Sequence, residues 1–185
     1  MNRSIIAIGL ILVMLLSFTS CTLGGTQDPY YQTLNELVKK LPESYTLVIT
    51  VESGNGNIVT EKYNVNGDSV QYKVERINAF TPNGDSYNVP DSYKTVEEKT
   101  LTPEEQKNHD YSIPNFKFVD SALGTPTISG GTLNASIISI KNFMGKDIDA
   151  EDAVLKVSYS PNSIGYISVS YTTGNGNRVT IKYAF

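Results

Sequence analysis

The sequence predicts an α+β protein, with a curved antiparallel β-sheet (a meander or half-barrel) packed on one N-terminal amphipathic helix. Three observations support this fold class. Several segments alternate apolar and polar residues, one segment has apolar residues at helical spacing, and Asn-Gly or Gly-Asn turns separate the alternating segments. The same elements would also fit a β-sandwich with a peripheral helix, and this alternative stays open.

The helix is predicted over residues 29–41. Asp28 is a suitable N-cap and Pro29 suits the first helical position. Four apolar residues then recur at i, i+3, i+4 and i+7, namely Leu34, Leu37, Val38 and Leu41. Pro42 ends the pattern, and its apolar stripe is expected to pack on a sheet.

Strands are predicted wherever apolar and polar residues alternate. The clearest segments are 46–51, 70–75, 155–160, 167–171 and 178–185. Each of them has one apolar and one polar face, which is typical of an antiparallel sheet with one side in water.

The turns agree with hairpins. Asn66-Gly67 and Asn83-Gly84 are residue pairs that two-residue hairpin turns favour. Two longer turns, 53–57 and 173–177, share the pattern Gly-Asn-Gly-Asn, and the match continues into the next strand at an offset of 120 residues. An internal duplication and convergent turn chemistry both explain this similarity.

The middle of the chain is less regular. Thr102-Pro103-Glu104-Glu105 is a capping-box pattern that predicts a short helix. Segments 79–101 and 106–131 have the composition of loops. A strand is expected over Leu133–Ile140, and one helical turn over Asp147–Asp152.

The first twenty-one residues have the pattern of a targeting signal. Arg3 precedes an apolar run from Ile5 to Leu16, and Phe18-Thr19-Ser20 leads to Cys21, the single cysteine. The run is too short to span a bilayer, which takes about 20 apolar residues. This pattern resembles a bacterial lipoprotein signal peptide, although Phe18 stands where the lipobox usually has leucine. An ordinary secretory signal with an incidental cysteine is the alternative.

The resemblance implies cleavage before Cys21 and acyl chains, palmitate among them, on that residue. The chain would then divide into a signal peptide (1–20), a lipidated tether (21–27) and one domain (28–185). It would sit on the extracytoplasmic face of the cell membrane, or on the outer membrane of a two-membrane cell. Without residues 1–20 the chain has 14 basic and 19 acidic residues, a net charge of −5. This balance argues against a nucleic-acid partner.

Catalytic and metal-binding patterns are weak. His109 is the single histidine and lies among polar residues, which indicates a solvated loop position. The best metal candidates are the carboxylates of Asp147, Asp149, Glu151 and Asp152, but this segment lacks the glycine and glutamate positions of an EF-hand loop. A charged turn is the simpler interpretation. We expect no enzyme activity and no cofactor.

The segments 45–74 and 154–185 resemble the LolA/LppX-like lipoprotein carriers. The likeness is strongest in the strand-turn-strand formed by residues 167–171 and 174–180. In that family a curved sheet wraps over helices and encloses an apolar cavity for acyl chains. The resemblance implies the same fold here, and no functional residue transfers with it.

Two functions follow as expectations. The first is a lipid-anchored, non-enzymatic extracytoplasmic binding protein that holds a lipid or other apolar ligand between sheet and helix. The second is a surface-exposed structural or adhesive module that binds a protein or glycan through loops 79–131. A large apolar cavity would favour the first, and a filled core with an exposed tyrosine-bearing patch would favour the second.

Overall fold

The computed structural model describes residues 28–79 and 89–185. The predicted signal peptide, Cys21, the predicted tether and the hairpin predicted at Asn83-Gly84 therefore lie outside the described residues. Within the described ranges, no helix combines the length and the apolar character that a membrane crossing needs.

The described residues form a single antiparallel sheet of nine strands, three short α-helices and one 3-10 helix, Asp91–Tyr93. The sheet order is β4-β3-β2-β1-β9-β8-β7-β6-β5. The strands are β1 Tyr45–Glu52, β2 Ile58–Asn66, β3 Ser69–Ile77, β4 Lys94–Thr100, β5 Thr127–Ser129, β6 Thr132–Ser136, β7 Ala150–Tyr159, β8 Ile164–Thr173 and β9 Arg178–Ala184. The helices are α1 Pro29–Val38, α2 Pro103–Gln106 and α3 Ile140–Met144.

This topology confirms a sheet-dominated α+β fold. Strands β1 to β4 follow one another across half of the sheet, and β5 to β9 across the other half. The pairing of β1 with β9 joins the two halves. The β-sandwich alternative is wrong for the described strands, because they form one continuous sheet and a sandwich requires two.

The two faces of the sheet differ sharply. We call the face whose side chains enter the hydrophobic core the core face, and the opposite one the open face. Cross-strand partners share a face, so a core-face row runs through Tyr72, Tyr63, Leu47, Tyr183 and Ile167. Each of these five side chains is buried.

Helix α1 begins as predicted, with the Asp28 carboxylate accepting a hydrogen bond from the backbone N–H of Tyr30 at 2.9 Å. It ends at Val38, three residues earlier than the pattern indicated, and a turn follows. Its buried residues belong to the same hydrophobic cluster as the core face of the sheet. They are Tyr31, Leu34 and Leu37.

The two similar turns have the same geometry. Gly56 and Gly176 both have positive φ, 85° and 76°, and each backbone N–H bonds to the carbonyl three residues earlier at 2.8 Å. The Asn66-Gly67 hairpin also forms. Its turn is centred one residue later than expected, on Gly67 at φ 56° and the residue after it.

In the middle of the chain, one sequence prediction is confirmed and another is wrong in part. The capping box of α2 is confirmed, since Thr102 and Glu105 bond to each other's backbone N–H. The loop predicted over 79–101 is wrong in part, because residues 94–100 form β4.

Two further predictions in this region are wrong. The strand predicted over Leu133–Ile140 ends at Ser136, and helix α3 begins at Ile140. The helical turn predicted over Asp147–Asp152 does not form, because β7 pairing already begins at Ala150. Ser139 caps α3 instead, and Gly145 ends it in the left-handed conformation.

Candidate functional site

A row of lysines crosses the open face at right angles to the strands. Lys73 on β3 is paired directly with Lys62 on β2, and Val48 on β1 separates Lys62 from Lys182 on β9. The row continues through Ser168 on β8 to Lys156 on β7. Neighbouring strands lie about 4.8 Å apart, so the five steps from Lys73 to Lys156 span roughly 24 Å. We call this set the lysine row.

The centre of the open face contains cations but no carboxylates. It consists of the three adjacent cross-strand rows over β2, β1, β9, β8 and β7, which give fifteen positions. These positions are Thr60, Lys62, Asn64, Thr46, Val48, Thr50, Thr180, Lys182, Ala184, Tyr166, Ser168, Ser170, Val154, Lys156 and Ser158. None of the fifteen is buried. This block is positively charged, whereas the whole chain has a formal net charge of −4. The overall composition therefore does not reveal it.

The four lysines of the row form no ion pair and donate no hydrogen bond within the described part of the chain. Other cations there do have carboxylate partners, for example Arg76 with Glu97 at 2.8 Å. Lys182 has a different contact, with its ammonium 4.5 Å from the centre of the Tyr166 ring. Lys62 and Lys73 face each other across a strand pair, and like charges in this arrangement lower the stability of the fold. The row therefore has ammonium groups without carboxylate partners, at a cost in stability.

Small hydroxyl and amide groups surround the lysines and pair across strands. Thr50 and Thr60 have their hydroxyl oxygens 3.4 Å apart, and Ser170 and Thr180 have theirs 3.0 Å apart. These two pairs occupy equivalent places in the two similar hairpins. Each hydroxyl keeps further hydrogen-bonding capacity toward solvent. The block therefore offers cations and hydroxyls together to whatever lies on it.

A second polar cluster lies on the core face of β2 and β3. The Tyr63 hydroxyl is 3.0 Å from Glu61 Oε2 and 3.0 Å from His109 Nδ1, and the Tyr72 hydroxyl donates to Glu61 Oε1 at 3.3 Å. A carboxylate only accepts, so the single Tyr63 proton goes to Glu61 and Nδ1–H of His109 donates to the Tyr63 oxygen. The His109 ring also contacts Tyr72, with ring centres 4.8 Å apart.

Burial, and next the Glu61 carboxylate, raise the pKa of Tyr63 well above its usual range. The same two causes raise the pKa of Tyr72. Both phenols therefore stay protonated at ordinary pH and act as hydrogen-bond donors. They are unsuited to act as nucleophiles or bases. We call Glu61, Tyr63, Tyr72 and His109 the tyrosine cluster.

Tyrosines of the core face hold the segment that follows α2 in place. Tyr45 donates to the carbonyl oxygen of Tyr111 at 2.8 Å, and Tyr183 donates to that of Ser112 at 3.2 Å. With the Tyr63–His109 bond, three core-face tyrosines hold residues 109–112. His109 lies in a loop as expected, but the expectation that it is solvated is wrong in part, because its ring lies half-buried between tyrosines.

The predicted acidic metal segment does not converge. Asp147 pairs with Lys141 at 3.1 Å, Asp149 lies against Gly174, and Glu151 and Asp152 are in β7. In the ranges 28–79 and 89–185 there is no group of three or more side chains that could hold a metal ion.

Three buried phenylalanines link Tyr31 of α1 with Tyr183 of the core face through successive ring contacts. Phe116, Phe118 and Phe143 are at most 3% exposed, and they form tilted or edge-on ring contacts with one another and with Tyr183. Asn35 of α1 exchanges two hydrogen bonds with the Phe118 backbone, at 2.8 and 3.0 Å.

The region 79–131, predicted as loops, contains several kinds of structure. Residues 80–88 lie outside the described residues, 94–100 form an exposed edge strand and 109–112 lie on the core face. Exposed tyrosines occur at Tyr30 and Tyr93, which lie in different elements. The described part of this region therefore contributes edge and core as well as loop.

Sequence reasoning missed the lysine row, although alternation placed Lys73, Lys156 and Lys182 on polar strand faces. No protein-family model matches the chain, and no curated protein matches it either.

Proposed function

We propose that this protein is a lipid-anchored, non-enzymatic extracytoplasmic binding protein, and that it binds a linear, anionic, hydroxyl-rich polymer across the open face of its sheet. The lysine row is the observation that carries the proposal. It presents four unpaired ammonium groups along roughly 24 Å, which is a shape suited to an extended polyanion and not to a small ligand.

The surroundings of the row favour an anionic glycan or polyol phosphate over a nucleic acid. Short hydroxyl side chains dominate the central block, and they match ligands rich in hydroxyl groups. Single-stranded nucleic acids are held by cations together with aromatic stacking surfaces. The block has one aromatic residue, Tyr166, and the Lys182 ammonium lies over its ring.

The fold supports a surface-binding role over a carrier role. We infer that α1 packs on the core face of a curved, half-barrel sheet, since Tyr31, Leu34 and Leu37 are buried in the shared hydrophobic cluster. The phenylalanines described above occupy the space between them. An apolar ligand would have to displace this packing, whereas a polymer on the open face displaces only water.

The anchor is a separate part of the proposal and has its own test. Cells that express the chain are fed an alkyne analogue of palmitate, and the protein is then assayed for the label. Labelling of the wild type and its loss in Cys21→Ser would support anchoring at Cys21. Equal labelling of both would overturn it.

Binding is tested with the chain from residue 21 onward carrying Cys21→Ser, and with immobilised alginate, a polyuronate, as the probe. The test variant is Lys62→Gln with Lys182→Gln. The control is Lys40→Gln with Lys107→Gln, which changes the net charge equally at two exposed lysines away from the row. We expect the test pair to weaken retention about tenfold, and the control pair to leave it within about twofold.

Competition separates the polymer classes. Soluble alginate or a glycerol-phosphate polymer should displace the protein, and neutral dextran should not. Displacement should also become easier with added salt, because binding releases counterions. Equal loss in both lysine pairs, or stronger competition by single-stranded DNA than by alginate, would overturn the proposal.

A further inference from the structure

A groove of about 460 Å³ lies on the open face where β7 departs from regular pairing. Its lining includes Asp152, Val154, Lys156, Ser170, Thr172 and Arg178. Lys156 is also the last cation of the lysine row, so the groove adjoins one end of that row. Arg178 lies outside the row, four residues before Lys182 on β9.

The groove results from a bulge. The pairing of β7 with β8 shifts register between Glu151 and Val154, so that β7 has extra chain at this point. Asp152, within the bulge, has φ 51° and is the single non-glycine residue with positive φ among the described residues. This backbone region is unfavourable for side chains larger than glycine. Bulges recur where a side chain has to be re-aimed, and here Asp152 is one of the residues that line the groove.

Two cations in the groove have no carboxylate partner. Lys156 lies opposite Asn134 and Ser168, which are both uncharged. Arg178 lies opposite Glu52, but no ion pair within 4.0 Å joins Arg178 to any carboxylate in the described residues. Both side chains are exposed and extend from strands two positions apart, on either side of β8. Arg178 faces Thr172 and Lys156 faces Ser168, so the two cations line the groove from two sides.

The remaining polar groups of the groove suit hydroxyls. Ser170, which is also 3.0 Å from the Thr180 hydroxyl, and Thr172 line the floor on β8 and can both donate and accept hydrogen bonds. The Asp152 carboxylate can only accept, so it would repel a bare anion and favour a ligand that brings its own hydroxyl donors. A groove with two cations, two hydroxyls and one carboxylate matches a ligand with one anionic group beside several hydroxyls.

We propose that this groove is a subsite for a single anionic sugar or polyol unit. Lys156 and Arg178 hold its phosphate or carboxylate, and Asp152 accepts hydrogen bonds from its hydroxyls. The inference deepens the proposed function and rests on it, since the unit would belong to the polymer that lies along the lysine row. The two anion types share this chemistry, and the choice of probe separates them.

The test uses calorimetric titration of the chain from residue 21 onward, carrying Cys21→Ser, with glycerol 3-phosphate and with glucuronate. Preferential binding of either probe over neutral glycerol supports the subsite and identifies the anion it prefers. Arg178→Gln should weaken binding of the preferred probe about tenfold, as expected for loss of one charge-assisted hydrogen bond. Arg178→Lys should recover part of this loss. Because Arg178 is exposed, these variants should fold as the wild type does, and a thermal unfolding curve checks this.

Methyl phosphate supplies the matched ligand control, because it has the anion but no hydroxyl group. Asp152→Asn should weaken the binding of glycerol 3-phosphate and should leave the binding of methyl phosphate unchanged or make it tighter. If Asp152→Asn affects both phosphates equally, or if neutral glycerol binds as well as either anion, the subsite is overturned.

Lys62→Gln separates this inference from the proposed function, because Lys62 lies in the row but not in the groove. It should reduce alginate retention and leave the small probes unchanged. Retention that depends on Lys62, without binding of any small probe, overturns the subsite and leaves the polymer-binding function standing. Binding of small probes without alginate retention overturns the polymer-binding function, while the groove remains an anion site.

Discussion

Lys62 and Lys182 lie in one cross-strand row of the open face, two strands apart, with Val48 of β1 between them. They are also equivalent positions of the two similar hairpins, 120 residues apart in the chain. The pairing of β1 with β9 places these hairpins side by side, so a repeated local sequence becomes a continuous surface. Rows of like charge on a sheet affect stability as well as binding.

The first prediction concerns the repulsion between Lys62 and Lys73, which are direct cross-strand partners. Lys62→Gln should raise the free energy of unfolding by about 0.5 kcal/mol, because one of two facing charges is removed. The gain should shrink with added salt. Urea denaturation at low and high salt measures this effect. Lys156→Gln is the control, since its cross-strand neighbours are uncharged, and an equal gain there would contradict the explanation.

The second prediction concerns the tyrosine cluster. Tyr63→Phe removes the hydroxyl that joins Glu61 to His109 and leaves two partly buried polar groups without this partner. We expect the free energy of unfolding to fall by about 1–2 kcal/mol. Tyr30→Phe, at an exposed tyrosine, should change it by less than about 0.5 kcal/mol. Equal effects in denaturant titrations of the two variants would show that the cluster does not stabilise the fold.

The third prediction concerns the backbone of Asp152. Because its φ is 51°, Asp152→Gly should raise the free energy of unfolding by up to about 1 kcal/mol, and Asp152→Val should lower it by a similar amount. If the groove binds its ligand as proposed, Asp152→Gly should also weaken glycerol 3-phosphate binding. A glycine variant that is less stable than the wild type would contradict the strain argument.

The fourth prediction concerns acid sensitivity at the start of α2. The hydrogen bond from Lys99, followed by those from the backbone and side chain of Thr102, lowers the pKa of Glu105 to about 2. A lowered pKa in the folded state means that the ionised form stabilises the protein above the ordinary value of 4.5. This contribution is lost as pH falls from about 4.5 toward 2.

Thermal unfolding at several pH values measures the effect. The midpoint of Glu105→Gln should lie below that of the wild type at pH 7, and the two should converge near pH 2.5. Glu104→Gln loses an exposed ion pair with Lys107 but no helix cap, so its difference from the wild type at pH 7 should be smaller. If the difference in midpoint between Glu105→Gln and the wild type stays constant with pH, ionised Glu105 does not stabilise the fold as described.

Local patterns in the sequence predicted most strands and the starts of α1 and α2, because alternation and capping are properties of neighbouring residues. Strand β4 escaped this reasoning. It is an edge strand exposed on both faces, so its sequence shows charges and threonines without an apolar period. Helix α3 had local signals in Ser139 and Gly145, but the apolar residues before it indicated a longer strand.

The candidate site depended on contacts that no local pattern contains. The lysine row exists because β1 pairs with β9, which joins residues more than 120 positions apart. His109 meets Tyr63 and Tyr72 from distant parts of the chain, and its polar neighbours in sequence indicated solvent instead. Alternation identified Lys73, Lys156 and Lys182 as outward-facing, but the order of strands in the sheet was needed to align them with each other and with Lys62.

The exposed edge strand β4 has a consequence for contacts between copies of the protein. An unpaired strand edge invites a second copy to extend the sheet. Antiparallel self-pairing of Lys94–Thr100 in its central register would bring Glu97 of one copy opposite Glu97 of the other. Facing carboxylates disfavour this arrangement. The charge at this edge therefore opposes extension of the sheet from one copy into the next.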